Sequence, residues 1–160
     1  MDTFYIDPIQ IAKQNGIDVK PIKGVKRNLK WFDSYEYIPE DLCGYIEKQD
    51  NGKVVIYYNP NHHENRQRFT IAHELGHYFL NHLDNNHKKY RDLRENFNIN
   101  NFDYKEVEAN KYAAELLMPK DKIDFLIYTK GITNIEELAQ ILKVSTMALT
   151  YRLKNLGYIQ

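Results

Sequence analysis

The chain has 160 residues, 42% hydrophobic and 28% charged, with 22 basic and 22 acidic side chains. That is the length of one domain, or of one domain with a small appendage, and the composition is globular rather than disordered. A formal net charge of zero gives no electrostatic reason to expect nucleic acid or an anionic membrane, and the lone cysteine, Cys43, excludes an internal disulfide and a cysteine-rich zinc knuckle.

No segment approaches about 18 apolar residues, and the opening MDTFYIDPIQ lacks a basic stretch followed by an apolar run. A cytoplasmic protein with no membrane span is expected. Cys43 fits that reducing setting as a small buried hydrophobe better than as an inhibitory metal ligand.

Asp7-Pro8 through Gly16 reads as a short helix, with an N-cap, a proline in the first turn and a glycine stop. Ile17 to Ile22 reads as a strand. Residues 23–43 read as a loop; its Lys26, Arg27, Lys30, Trp31 and Phe32 fit aromatics packed on the core better than a nucleic-acid patch. Gly44–Gln49 and Lys53–Tyr58 alternate as strands across Asp50-Asn51-Gly52, which predicts a hairpin with a type I′ turn. The second of these strands is either a sheet edge, able to pair with an extended peptide, or an interior strand.

Asn59-Pro60-Asn61 ends that strand and leads to Arg68-Phe69-Thr70-Ile71-Ala72-His73-Glu74-Leu75-Gly76-His77-Tyr78-Phe79-Leu80, which contains H-E-x-x-H. On a helix, residues four apart lie one turn above each other, so His73 and His77 can share one ion. Glu74 lies about 100° round the helix from His73 and about 60° from His77, where it can act as a general base without binding the metal. Ile71, Leu75, Phe79 and Leu83, widened by Phe69, Ala72, Gly76 and Leu80, form the apolar stripe that makes the segment helical. An accidental match inside an ordinary amphipathic helix is the bland reading, and the helical phase of the two histidines weighs against it.

Asp84 to Asn101 is a polar connection, read as a flap beside the metal with a flexible segment at about 84–103. His62, His63, His82 and His87 have no phase relation to the motif and are expected at the surface.

A catalytic zinc takes three protein ligands and one open position. Leu80 and Leu83 stand where a metzincin would carry glycine and histidine, which leaves a glutamate from a second helix. Tyr104–Met118 supplies that helix. Glu106 is the expected ligand, Glu108 is the alternative, and Glu115 reads as a solvated helix residue. Asn110, one turn after Glu106, is placed to orient a ligand histidine. Gly76, Ala109 and Ala113 are small enough for the two helices to approach closely.

RFTIAHELGHYFLNH followed by EVEANKYAAELLMP resembles the ImmA/IrrE family of metallo-endopeptidases from about Gly44 onward. The resemblance implies a compact gluzincin-like zinc fold. It also implies an intracellular endopeptidase that cleaves a helix-turn-helix repressor encoded nearby, often on a prophage or integrative element. By the family pattern His73, His77 and Glu106 are ligands and Glu74 is catalytic. Tyr112 departs from the phenylalanine common in the family.

Residues 120–129 read as a short helix closed by Gly131, and Ile135–Val144 and Thr146–Asn155 as a helix-turn-helix-like pair with Lys143 where the turn usually carries glycine. Residues 132–160 hold three basic and two acidic side chains, and Arg152 and Lys154 are the cations on the second helix. A net of +1 is thin for gripping phosphates, so DNA binding is not favoured and a structural or partner-docking role is.

The residues and the resemblance together give an α+β protein. A zincin-like (gluzincin) core at residues 1–119, with a small antiparallel sheet packed on the H-E-x-x-H helix, precedes a helical subdomain at residues 120–160. One Zn²⁺ per chain and a protein substrate are expected. The alternative is a DNA-binding transcriptional regulator with a structural or vestigial zinc site.

Overall fold

A computed structural model describes residues 4–27, 35–83, 89–93 and 103–160. The first helix, α1 (Pro8–Gln14), begins where the Asp7 carboxylate accepts from the Ile9 N–H at 3.0 Å, with Pro8 in the first turn. Gly16, at φ +71°, ends it and turns the chain into β1 (Asp18–Pro21).

β2 (Val25–Arg27) and β3 (Tyr35–Tyr37) pair as an antiparallel ribbon inside the stretch that reads as a loop. Strands of three residues are too short for alternation to show in the sequence. Lys30, Trp31 and Phe32 lie outside the described residues.

β4 (Leu42–Lys48) and β5 (Val54–Tyr58) form the expected hairpin, in register from Gly44 with Tyr58 to Lys48 with Val54. Its turn is not type I′. The Gly52 N–H donates to the Gln49 carbonyl at 2.9 Å, and within the loop only Gly52 has positive φ, at +81°. That is a type I turn followed by a left-handed glycine. Asn51 contributes through its side-chain oxygen, which accepts from the Lys53 N–H at 2.9 Å.

With β6 (Lys89–Leu93) these strands build a four-stranded sheet of order β1-β5-β4-β6. β1 runs parallel to β5 and the other neighbours are antiparallel, so the sheet is mixed rather than antiparallel. β5 is an interior strand paired on both sides, which removes it as an edge for an extended peptide. β6 falls inside the stretch expected to be a flap. Its lysine, arginine and aspartate suit a sheet edge, and that polarity masks it from a search for apolar alternation. The rest of the flap, residues 84–88 and 94–102, and His87 with it, lies outside the described residues.

α2 (Glu64–Phe79) packs on β4 and β5. A Cβ at Gly44 would fall 2.5 Å from Thr70 Cγ2 and 2.5 Å from the Tyr57 carbonyl oxygen, so glycine on β4 lets the helix lie this close. The apolar stripe holds at Ile71, Ala72 and Leu75. It fails at Phe79 and Leu80, which are 38% and 40% exposed at the helix end, and Leu83 lies past it. From Thr70 to His77 the helix is buried on every side.

α3 (Tyr104–Leu117) lies against α2, and α4 (Lys120–Asp124) continues into a π-helical turn over Phe125–Thr129. α5 (Ile135–Leu142) and α6 (Thr146–Asn155) follow, joined through Lys143, which takes a left-handed φ of +53°. Ile46, Ile56, Ile71 and Leu75 form one apolar cluster with Ala12 and Ile17. Ala72, Ala113 and Leu117 form another with Leu138, Leu142, Leu149 and Leu153. α2 thus has the sheet on one side and the C-terminal helices on another. Among the described residues no helix is long and apolar enough to cross a membrane.

Candidate metal centre

α2 is fixed at both ends before it offers any chemistry. His63 caps its start, accepting from the Asn65 N–H through Nδ1 at 3.1 Å, and Glu64 places negative charge in the first turn. At the other end Asn81 is left-handed, φ +56°; the Asn81 N–H donates to the Tyr78 carbonyl at 3.2 Å and the His82 N–H to the His77 carbonyl at 2.9 Å. This is a Schellman cap with asparagine in the place glycine usually takes. Between the caps, the i, i+4 spacing brings His73 Nε2 and His77 Nε2 to 3.0 Å.

α3 delivers the carboxylate. Asp103 caps it by accepting from the Lys105 N–H at 3.0 Å, which puts Glu106 in the first turn. Glu106 Oε2 lies 3.1 Å from His73 Nε2, and Oε1 lies 3.3 Å from His77 Nε2. The approach depends on Gly76: a Cβ there would sit 3.1 Å from Ala109 Cα, 3.2 Å from the Ala109 carbonyl oxygen and 3.2 Å from Tyr112 Cβ. The three side chains are buried, their donor atoms lie within 4.8 Å of one another, and the group could hold a metal ion.

The donor chemistry fits a metal. Asn110 Oδ1 lies 2.8 Å from His73 Nδ1, and because a carbonyl oxygen only accepts, His73 carries its proton on Nδ1 and keeps the Nε2 lone pair toward Glu106. Burial pushes His77 down to about 4, with His73 and His82 adding to that effect against the pull of Glu106. Burial alone would raise Glu106, but at low pH, where His73 and His77 take up second protons, their hydrogen bonds to it outweigh burial and hold the carboxyl at about 2. A neutral imidazole and an ionised carboxylate at neutral pH are the forms that bind metal.

Glu74, fully buried, sits on α2 between the two histidines. Glu108, the alternative ligand, is outside the group, and Glu115 is exposed on α3. Cys43 is buried beside Arg66, whose Nη2 lies 3.2 Å from the sulfur, and it does not join the cluster. His63 is exposed, as expected, and His62 is half-buried, with Nε2 donating to the Glu40 carbonyl at 2.8 Å.

His82 is where the sequence misleads. It is 5% exposed, its Nδ1 lies 2.8 Å from His77 Nδ1, and its Nε2 donates to Glu108 Oε2 at 3.1 Å. Helical phase could not find it, because it lies three residues past the last helical residue. The available signal was Asn81, one of the few residues besides glycine that readily takes the left-handed turn folding the next side chain back onto the helix.

A family model described as the IrrE N-terminal-like domain, a peptidase family, matches residues 25–154 of the chain. The metallopeptidase ImmA of Bacillus subtilis (strain 168) is 32% identical over 107 residues, which is 66% of this chain and 58% of that protein. The chain therefore spans less than two thirds of the length of the curated relative it matches.

Proposed function

The chain belongs to the IrrE N-terminal-like domain family of peptidases, and on that premise we propose that it is a zinc-dependent endopeptidase acting on a protein substrate in the cytoplasm. The observation that carries this reading is the convergence of His73 Nε2, His77 Nε2 and the Glu106 carboxylate, with Glu74 between the histidines on α2. Two imidazoles and a carboxylate suit zinc, and three protein donors leave a position open, as a catalytic site requires.

A bound zinc ion supplies Lewis acidity, which polarises a carbonyl and acidifies water. His73 and His77 would hold it through Nε2 and Glu106 through its carboxylate, while Asn110 keeps His73 in the binding tautomer. Glu74 takes the proton of the attacking water and delivers it to the departing amine. The substrate class is a helix-turn-helix repressor encoded nearby, a reading supported by the two sequence blocks shared with the ImmA/IrrE family. The C-terminal helices fit docking of a protein better than reading of DNA. Arg152, one of the two cations on α6, is engaged internally, donating through Nε to the Met118 carbonyl at 3.1 Å.

Glu74→Gln tests the mechanism. The variant should still bind one zinc per chain and should cleave a co-expressed repressor about 10²–10⁴-fold more slowly, the usual contribution of a general base. Cleavage at the wild-type rate would remove Glu74 from its role. Salt-dependent DNA binding by wild-type protein that cleaves no regulator would favour the regulator with a structural zinc site.

A further inference from the structure

The two imidazoles of the metal group are braced differently from behind. His73 leans directly on Asn110, whereas His77 leans on a second imidazole, His82, which leans on Glu108. Both chains of contact end on α3, the helix that also supplies Glu106. His82 cannot serve the same ion, since it meets His77 at Nδ1 while the facing histidine and carboxylate meet His77 at Nε2, across the ring.

Proton accounting along this chain has one outcome for neutral rings. A carboxylate only accepts, so Glu108 requires the proton of His82 to sit on Nε2. A neutral imidazole has one ring proton, so His82 Nδ1 is then an acceptor, and the 2.8 Å contact makes His77 Nδ1 the donor. His77 Nε2 is left with its lone pair, facing Glu106 and His73.

We propose that His82 and Glu108 are positioning residues of the metal centre: Glu108 fixes the tautomer of His82, and His82 in turn fixes the tautomer and ring orientation of His77 for metal binding. The proposal rests on the zinc reading above and adds the source of His77's competence. It also gives Glu108 a role that its proximity to the ligand carboxylate in sequence had obscured. Glu106 contacts the metal-binding atoms, while Glu108, two residues on, acts through two rings. A buried histidine with its hydrogen bonds satisfied could instead serve packing alone, and the variants below separate the two.

The experiment measures Zn²⁺ affinity by competition with a chromophoric chelator, alongside thermal unfolding of the metal-free proteins. Wild-type protein that binds no zinc would sink the zinc reading itself. If wild type binds, His82→Phe, which keeps a ring but loses the acceptor, should bind about 10–100-fold more weakly, the range for losing such a partner. His82→Asn, whose side-chain oxygen can accept at the Nδ1 position, should recover most of that loss. Glu108→Leu should weaken binding by less, and the double variant His82→Phe/Glu108→Leu should bind no more weakly than His82→Phe, because Glu108 acts through His82. Zinc-loaded wild type should also show a downfield, slowly exchanging proton on His77 Nδ1 by nuclear magnetic resonance. The proposal is overturned by His82→Phe binding within twofold of wild type, by Asn and Phe at position 82 weakening binding equally, or by additive losses in the double variant. Should His82→Phe not fold, the resonance of wild-type His82 decides: a proton found on its Nδ1 overturns the proposal.

Discussion

Burial that makes His77 a poor base also makes the folded protein sensitive to acid. With its folded value pushed down to about 4 from the ordinary 6.5, His77 stays neutral in the native state after the unfolded chain has begun to take up protons. The unfolded state therefore binds more protons between these values, and stability falls as pH drops from about 6.5 toward 4. Glu106 acts in the same direction lower down: held at about 2 against an ordinary 4.5, its contribution is present above 4.5 and is lost as pH falls toward 2. His77 alone should account for a loss on the order of 3 kcal/mol by the time pH has fallen below 4. Urea unfolding of the metal-free protein at a series of pH values should show a midpoint that falls steadily below pH 6.5. A midpoint unchanged from pH 7 to pH 4.5 would mean that His77 is not buried as described. At this scale the residues of the candidate metal group were legible because helical spacing places them. His73 and His77 are one turn apart on one helix, and Glu106 and Asn110 one turn apart on another. His82 was not, because its position follows from a left-handed turn at Asn81 and from no helical period.

Between α2 and α3 the distance is set at Gly76, and two opposed effects decide what a methyl group would do there. Alanine in place of a helical glycine favours the helix by about 1 kcal/mol. The new Cβ, however, would stand 3.1 Å from Ala109 Cα and 3.2 Å from the Ala109 carbonyl oxygen, both backbone atoms that cannot rotate aside. Overpacking of this kind costs about 1–3 kcal/mol, so the crowding outweighs the gain. Relief must come from α3 moving outward, which carries Glu106, three residues before Ala109, away from His73 and His77. Gly76→Ala is expected to lower stability by about 1 kcal/mol and to weaken zinc binding at least tenfold, read by denaturant unfolding and chelator competition. A more stable variant with full zinc affinity would show that the helices have room to spare. The small residues at 76, 109 and 113 made this approach readable from the sequence. The sheet was less so: the hairpin carried its turn signal, but β6 looks polar and β2 and β3 are three residues long.

Across the molecule, α2 belongs to two apolar clusters at once, and this bears on whether residues 120–160 behave as a separate body. Ile71 and Leu75 pack with the sheet, while Ala72 packs with Leu138, Leu142, Leu149 and Leu153 from the C-terminal helices. Polar ties cross the same boundary. Arg68 Nε donates to the Lys143 carbonyl at 3.2 Å, and Asn65 Nδ2 donates to the Val144 carbonyl at 3.2 Å. These carbonyls follow the end of α5, where the helix cannot satisfy them itself, so α2 completes a turn of the C-terminal pair. The helical pattern of that pair was legible from Ala139, Val144 and Leu149, whereas its partner was not, because amphipathicity says which face is buried and nothing about what covers it. Leu142 is fully buried in the shared cluster, and Leu142→Ala should cost about 2–5 kcal/mol. If the clusters unfold as one, the variant's loss of helix by circular dichroism and its loss of zinc on heating should move down together, with a single transition by both probes. An independent C-terminal unit would instead melt early while zinc stayed bound to the rest. That outcome would mean that the ties from Arg68 and Asn65 do not couple the C-terminal helices to the metal helix.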